Sequence, residues 1–215
     1  MIAVVGMATE ARIIAGPGLL VIISGGRPES LSGKFDQALA DRRPAILSFG
    51  LCGALDGALK PGDLLIGTGA VIKDRRVQTD VAWTDRLARS LPQARRAEFA
   101  GTDAFIVDAL GKAALRATSG AAAVDTESHV AARFAERTGA PFAIVRAVSD
   151  PANRTLPNAA QVGLRADGRA DLAAVLASLA RNPGQLPSLL RVALEARAGL
   201  SALRRCAYEV RSAAP

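Results

Sequence analysis

Short apolar runs alternate with helical periods along most of the chain. Ile2 to Val5, Leu19 to Ile23, Ala45 to Phe49 and Leu64 to Ile72 each predict a strand. Glu98 to Ala100, Ala122 to Val124 and Phe142 to Val148 predict three more. These runs are short, apolar and rich in β-branched residues, as strands buried on both faces are. Between them the apolar positions recur at helical spacing. Glu29 to Asp41, ended by Pro44, predicts a helix, as do Thr84 to Leu91 and Asp108 to Ala117. Glu127 to Arg137 predicts another, closed by Gly139 and Pro141 in the usual stop order. A turn-rich break runs from Pro151 to Pro157, and two helices follow at about 169–180 and 186–207.

Strand and helix alternation of this kind predicts an α/β fold. A central, largely parallel sheet carries helices on both faces, giving three layers. The chain has 215 residues, half of them hydrophobic, which suits one sizeable core. Residues 1–215 are therefore read as a single domain, with 151–215 as its helical C-terminal part. In such sheets ligands bind beyond the carboxyl ends of the strands. That places Glu10, the 48–53 loop, the 101–106 segment, the 125–127 segment and Asp150 at the expected site.

Composition narrows the classes of function. Charged residues make up 22%, ordinary for a folded soluble chain. The net charge is +7, and the stretch from 151 onward holds nine Arg against four acidic residues. No basic run interleaves with aromatics, so nucleic acid is not an expected partner. No residue set has metal-ligand spacing, and neither a metal nor another cofactor is expected. Cys52 and Cys206 form no CxxC pair and suit a reducing compartment. The opening apolar run lacks a basic flank, no stretch is long enough to span a bilayer, and the expected location is cytoplasmic. The 186–205 stretch is amphipathic and basic. Such a helix covers a sheet or rests on an anionic membrane surface, here the inner face.

Ser24-Gly25-Gly26 through Gly33-Lys34 suggests a phosphate-binding loop but fails its pattern. Pro28 stands where a glycine is required and Phe35 follows Lys34 in place of Ser or Thr. Gly25 and Gly26 still allow close backbone approach to a phosphate or a water, with Arg27 beside them. Ser48-Phe49-Gly50-Leu51-Cys52-Gly53 closes a strand with two glycines three apart, and Pro61-Gly62-Asp63 turns into the next strand.

The segment ILSFGLCGALDGALKPGDLLI at 46–66 resembles the nucleoside phosphorylase and nucleosidase superfamily. Three further segments agree with it in order. They are VVGMATEARII at the start, GTDAFI at 101–106 and AVDTESHVAARFAERTGAPFAIVRAVSDPAN at 123–153. The phrases LSFGLCGAL, AVDTESH and RAVSDPANRTLP are most similar to the hopanoid-biosynthesis-associated phosphorylase group. The resemblance implies a three-layer nucleoside phosphorylase-like fold with a mixed, mostly parallel twisted sheet, and a homodimer. It also implies cleavage of the N-glycosidic bond of a 5′-modified adenosine with release of adenine. In that group the expected substrate is adenosylhopane, in which a lipid is joined through the 5′ carbon. A methylthioadenosine/S-adenosylhomocysteine nucleosidase is the nearest rival. A non-catalytic nucleoside-binding module is the rival from another class.

The residues suit this chemistry. Bond cleavage leaves an oxocarbenium-like ribosyl centre, as in other glycoside cleavages. Adenine leaves readily only when N7 is protonated, which calls for a general acid at the base. Asp150, with Ser149 before it, aligns with the residue that serves N7. Glu127 aligns with the carboxylate that receives the ribose hydroxyls, with Thr126 beside it in place of the usual Met. Glu10 aligns with the glutamate that activates water in the nucleosidases. Phe105 and Ile106 match positions that flank adenine, and Ser48, Gly50 and Gly53 line the substrate side. His129, the only histidine, is read as structural. The chain lacks the N-terminal Gly-Asp-Pro-x-Arg element of the phosphorylases, which weakens a phosphate site, but Arg12, Arg27 and the 48–53 backbone offer another. Water and inorganic phosphate both stay open as the nucleophile: the residues lean to hydrolysis and the family resemblance to phosphorolysis.

Overall fold

The computed structural model describes residues 1–27, 29, 31–38 and 44–215. Eight strands and eight α-helices occur among them. In chain order they are β1 (Ile2–Val5), α1 (Ala8–Ile14), β2 (Leu20–Ile23), α2 (Leu31–Ala38), β3 (Ile46–Ala54), β4 (Leu64–Ile72), β5 (Arg75–Gln78) and α3 (Val81–Ser90). Then come β6 (Arg95–Gly101), α4 (Ala109–Ser119), β7 (Ala123–Asp125), α5 (Ser128–Thr138), β8 (Phe142–Asp150), α6 (Asn158–Gln161), α7 (Leu172–Arg181) and α8 (Leu186–Ser212).

Every strand expected from the apolar runs is present. The expected helix at 29–41 begins at Leu31, and its last three positions, with Pro28, lie outside the described residues. Asp80 caps α3 by accepting from the Trp83 amide, so that helix starts three residues earlier than its apolar period suggests. Asp108 likewise caps α4 through Gly111 N. Helix α1, helix α6 and strand β5 had no periodic signal. All three are short, and a seven-residue helix is held by its packing more than by its own propensity.

The sheet is mixed, with helices on both faces. Its order is β2-β1-β3-β7-β6-β4-β5, and β8 pairs with both β3 and β4. Five of the eight strand pairings are parallel, and β3–β7, β4–β5 and β4–β8 are antiparallel. The double pairing of β8 closes β3, β7, β6, β4 and β8 into a ring. A strand in that ring is paired on both sides, and eight of the nine residues of β8 are buried.

Two apolar layers lie on opposite faces of the strands. Phe35 and Phe134 stack on one, joined by Leu31, Val130 and Ile144. Ile14, Trp83, Leu87, Leu203, Cys206 and Val210 pack on the other. Gly199 lets α8 approach the sheet closely, since a Cβ there would lie 2.6 Å from the Leu51 side chain and 2.8 Å from the Val148 carbonyl.

One expectation needs correcting. Residues 48–53 are not a loop, because β3 runs on to Ala54. The glycines inside it serve close approach, not a turn.

Candidate active site

The site is built where β3 meets β7 and β8. Strand β8 runs parallel to β3 and pairs Arg146 with Gly50. A register shift between Cys52 and Gly53 then sets Asp150 beside Gly53. Strand β7 runs antiparallel to β3, with Val124 opposite Gly53. It delivers Asp125, Thr126 and Glu127 from the other direction. The carboxylates expected beyond the carboxyl ends of the strands are therefore gathered against the C-terminal half of β3, from Gly50 to Gly53.

Glu10 lies in the first turn of α1 and is buried. Its Oε2 accepts the Gly6 and Met7 amides at 2.8 Å each, and its Oε1 accepts the Leu51 amide at 2.7 Å. Burial raises its pKa from 4.5 to about 7, with Glu127 adding repulsion against the opposing pull of Arg146 and the amide donors. Gly50 (φ 152°) makes this position possible. A Cβ there would fall 2.6–2.9 Å from the Glu10 carboxylate. Gly53 does the same for the other acid, since its Cβ would sit 3.2 Å from Asp150 Oδ2. The two glycines of the Gly-x-x-Gly pair thus each leave room for one carboxylate.

Arg146 is the hub between them and carries a charge in the middle of an apolar strand. Its Nη1 donates to the Leu51 carbonyl at 2.9 Å and faces Glu127 Oε2 at 3.0 Å. Its Nη2 donates to Ser48 Oγ at 2.7 Å, and its Nε lies 3.1 Å from Asp125 Oδ2. Burial works against its charge, but Asp125, Glu127 and Glu10 outweigh that and hold it protonated. Ser48 also meets Ser128 Oγ at 2.9 Å. Asp125 Oδ1 accepts the Glu127 and Ser128 amides, anchoring the start of α5. Glu127 Oε1 accepts from Ser24 Oγ at 2.7 Å and Thr126 Oγ1 at 2.6 Å. Removing one partner from such a buried cluster costs far more than a surface ion pair. Arg146→Met is expected to lower stability by about 3–5 kcal/mol, read from the denaturant midpoint. A loss under about 1 kcal/mol would show that the cluster tolerates its carboxylates uncompensated.

Asp150 ends β8 and is buried. Ser149 Oγ lies 2.6 Å from its Oδ1 and 3.1 Å from the Cys52 carbonyl, and its one hydroxyl proton serves these two acceptors. Its Oδ2 is bonded by the Lys112 ammonium, which also donates to the Pro151 carbonyl at 3.0 Å. Lys112, Arg146 and Ser24 join the site without belonging to any motif that marks it in the sequence. Arg146 did leave a signal, because a lone charge inside the run 142–148 demands buried partners. Lys112 left none, since a lysine on a helix is ordinarily at the surface.

Phe105 is half exposed, and its ring lies beside Gly26, where a Cβ would meet it at 3.0 Å and Leu164 at 3.1 Å. Ile106 packs inward against Leu55, Val71, Ala100, Ala121 and Val124. Gly25 is buried, and a Cβ on it would fall 2.2 Å from the Ala166 carbonyl. The hairpin that pairs Leu164 with Ala170 lies across these glycines and is tied to α1 by Ala8 N to Gly168 O at 2.8 Å. Arg12 and Arg27 are exposed. His129 is buried, with Nε2 2.9 Å from Asp103 Oδ1, and it makes no described bond to the three acids. Burial pushes the Cys52 thiol well above its ordinary range, so it sits there as a small neutral filler.

Comparisons with known proteins agree on a family and a fold. Residues 20–186 match the phosphorylase superfamily. Futalosine hydrolase of Helicobacter pylori superposes with a TM-score of 0.66 at 17% identity, covering 98% of each chain. The 5′-methylthioadenosine/S-adenosyl homocysteine nucleosidase of the same organism gives 0.69 at 16% identity, covering 99% of this chain and 96% of that one. The corresponding nucleosidase of Neisseria meningitidis, solved with methylthio-immucillin-A, gives 0.67 at 18% identity, covering 98% of each. No curated protein matches the chain. At these identities the structural likeness is one of fold.

Proposed function

We propose that this N-glycosidic-bond-cleaving enzyme, which belongs to the phosphorylase superfamily, hydrolyses a 5′-modified adenosine and releases adenine. The observation that carries the reading is the placement of two buried acids, Glu10 and Asp150, against the two glycines of β3. One is suited to act on water and the other on the leaving base. Glu10 takes a proton from water as the water oxygen bonds to C1′. The C1′–N9 electron pair departs with the base, and Asp150 protonates N7. Glu127 receives the ribose hydroxyls and steadies the positive ribosyl centre. Phe105 and Ile106 flank adenine, while Thr126, Ser48, Ser149 and the backbone of Gly50 and Gly53 complete the substrate side.

Hydrolysis is favoured over phosphorolysis by two features. The chain's own hairpin covers Gly25 and Gly26. Arg146, the most deeply buried guanidinium described, is held by Asp125 and Glu127 and not left open to an anion. The wider reading is an adenosine bearing a lipid, adenosylhopane, met at the inner face of a membrane. Helix α7 has no buried residue, and Leu172, Leu176, Leu186, Leu190 and Leu194 on α7 and α8 are exposed. Arg181, Arg191 and Arg197 are exposed near them, a combination suited to an anionic bilayer surface. No described helix is long and apolar enough to cross a membrane.

The test is adenine release from adenosylhopane in anionic vesicles and from methylthioadenosine, with and without phosphate. The expected result is phosphate-independent release, with kcat/KM for adenosylhopane at least roughly tenfold higher. Preference for methylthioadenosine would assign the rival nucleosidase, and a rate that tracks phosphate would assign phosphorolysis. Binding of adenine without release from either substrate would overturn the enzyme reading.

A further inference from the structure

Lys112 is one of two buried residues on α4, and its side chain is 1% exposed. Burying an ammonium is expensive, and lysines are almost never buried unless paired. Here the pairing is with Asp150, the acid proposed above, and with one backbone carbonyl. A carboxylate next to an ammonium holds one transferable proton, because the ion pair and the neutral acid–amine pair differ only in where that proton sits.

We propose that Lys112 stores the proton that Asp150 delivers to the leaving base. This rests on the reading of Asp150 as the N7 donor. As the C1′–N9 bond breaks, its electron pair passes to the base. Asp150 gives a proton to N7 and takes one from the Lys112 ammonium, which becomes a neutral amine. Water bonds to C1′ and loses its proton to Glu10. Solvent then returns a proton to the lysine and removes one from Glu10. Lys112 acts only through Asp150 and is a positioning and proton-storing residue.

The need for such a store follows from Glu10. As a general base it works above about pH 7. An isolated aspartic acid ordinarily gives up its proton near pH ~3.9, a lysine near ~10.4. A lone aspartate would be empty over the range in which Glu10 is ready. The ammonium beside it does not refill the carboxylate, but it carries a proton of its own that the carboxylate can pass on. The groups facing the pair do not confuse the assignment. Cys52 on β3 stays neutral. Arg154 after β8 is held charged by Glu195 on α8. Asp108, at the start of α4, is bonded to the Gly111 amide. Arg146 is locked among its own carboxylates.

The test is kcat and KM at pH 8 for wild type, Lys112→Met, Lys112→Arg and Asp150→Asn, on whichever of adenosylhopane and methylthioadenosine releases adenine. In Lys112→Met, kcat falls roughly 100-fold, while KM changes little. Lys112→Arg keeps the charge but holds its proton, so it is expected to be as slow as the Met variant. Wild-type kcat in Lys112→Met overturns the proposal. Full activity in Lys112→Arg overturns it too, by reducing Lys112 to a fixed charge. Turnover in Asp150→Asn instead removes the acid assignment itself, so the two failures are distinct.

Discussion

Replacing Asp150 by asparagine is expected to lower kcat for adenine release by roughly 100- to 10,000-fold, the range a general acid ordinarily supplies. Asparagine is nearly the same shape, but its one amide oxygen can accept from only one of Ser149 and Lys112, which donate to different oxygens of Asp150. What it lacks is a proton to give to N7. The variant also leaves the Lys112 ammonium without its counter-charge in a buried place, and a buried pair broken on one side loses about 3–5 kcal/mol. Inactivity alone would therefore be ambiguous. The double variant Asp150→Asn with Lys112→Met resolves it, because both charges leave together. It is expected to regain much of the lost stability in denaturant unfolding and none of the activity. If the double variant recovers turnover along with stability, Asp150 is a structural acid and the proton reaches the base by another route.

Most strands were legible as apolar runs, and candidate site residues were legible wherever a motif carried them. Glu10, Glu127 and Asp150 stood out because each follows a strand and falls in a segment with a recognisable neighbourhood. The closed ring was not legible. It depends on β8 pairing with both β3 and β4, contacts far apart in sequence that leave no periodic mark. Reading 48–53 as a loop failed for a related reason. Glycines ordinarily weaken a strand, but Gly50 and Gly53 are tolerated inside β3 because carboxylates occupy the space of their missing side chains. Gly25 and Gly26 misled in the opposite sense. They suggested an approaching anion, but Gly25 is met by the Ala166 backbone of the 164–170 hairpin and Gly26 by the Phe105 and Leu164 side chains. Lys112 illustrates the harder limit, since a helical lysine is read as solvated until its partner on another element is known.

Glu10→Gln is expected to have an effect of similar size, and its pH behaviour identifies the mechanism. A base must be unprotonated to take a proton from water, so wild-type kcat should rise with pH through about 7, where burial has moved this carboxyl. Glutamine cannot take the proton, so hydrolysis should fall roughly 100- to 10,000-fold and lose that limb. A phosphate nucleophile needs no such base. If adding phosphate restores turnover in the variant, the enzyme is a phosphorylase and Glu10 only holds the backbone. Stability offers an independent reading. The folded state binds the Glu10 proton more tightly than the unfolded chain does. The stabilisation from Glu10 is thus fully present below about pH 4.5 and lost as pH rises through about 7. Glutamine has no such slope. It also sets an amide N–H₂ against the Gly6 and Met7 donors or the Leu51 donor, which lowers stability by an amount independent of pH. Subtracting wild-type from variant melting temperatures at pH 5 and pH 8 separates the two effects. The difference should move in favour of the variant on going to pH 8. A difference that stays constant would mean that Glu10 does not titrate in this window, and that the base for water lies elsewhere.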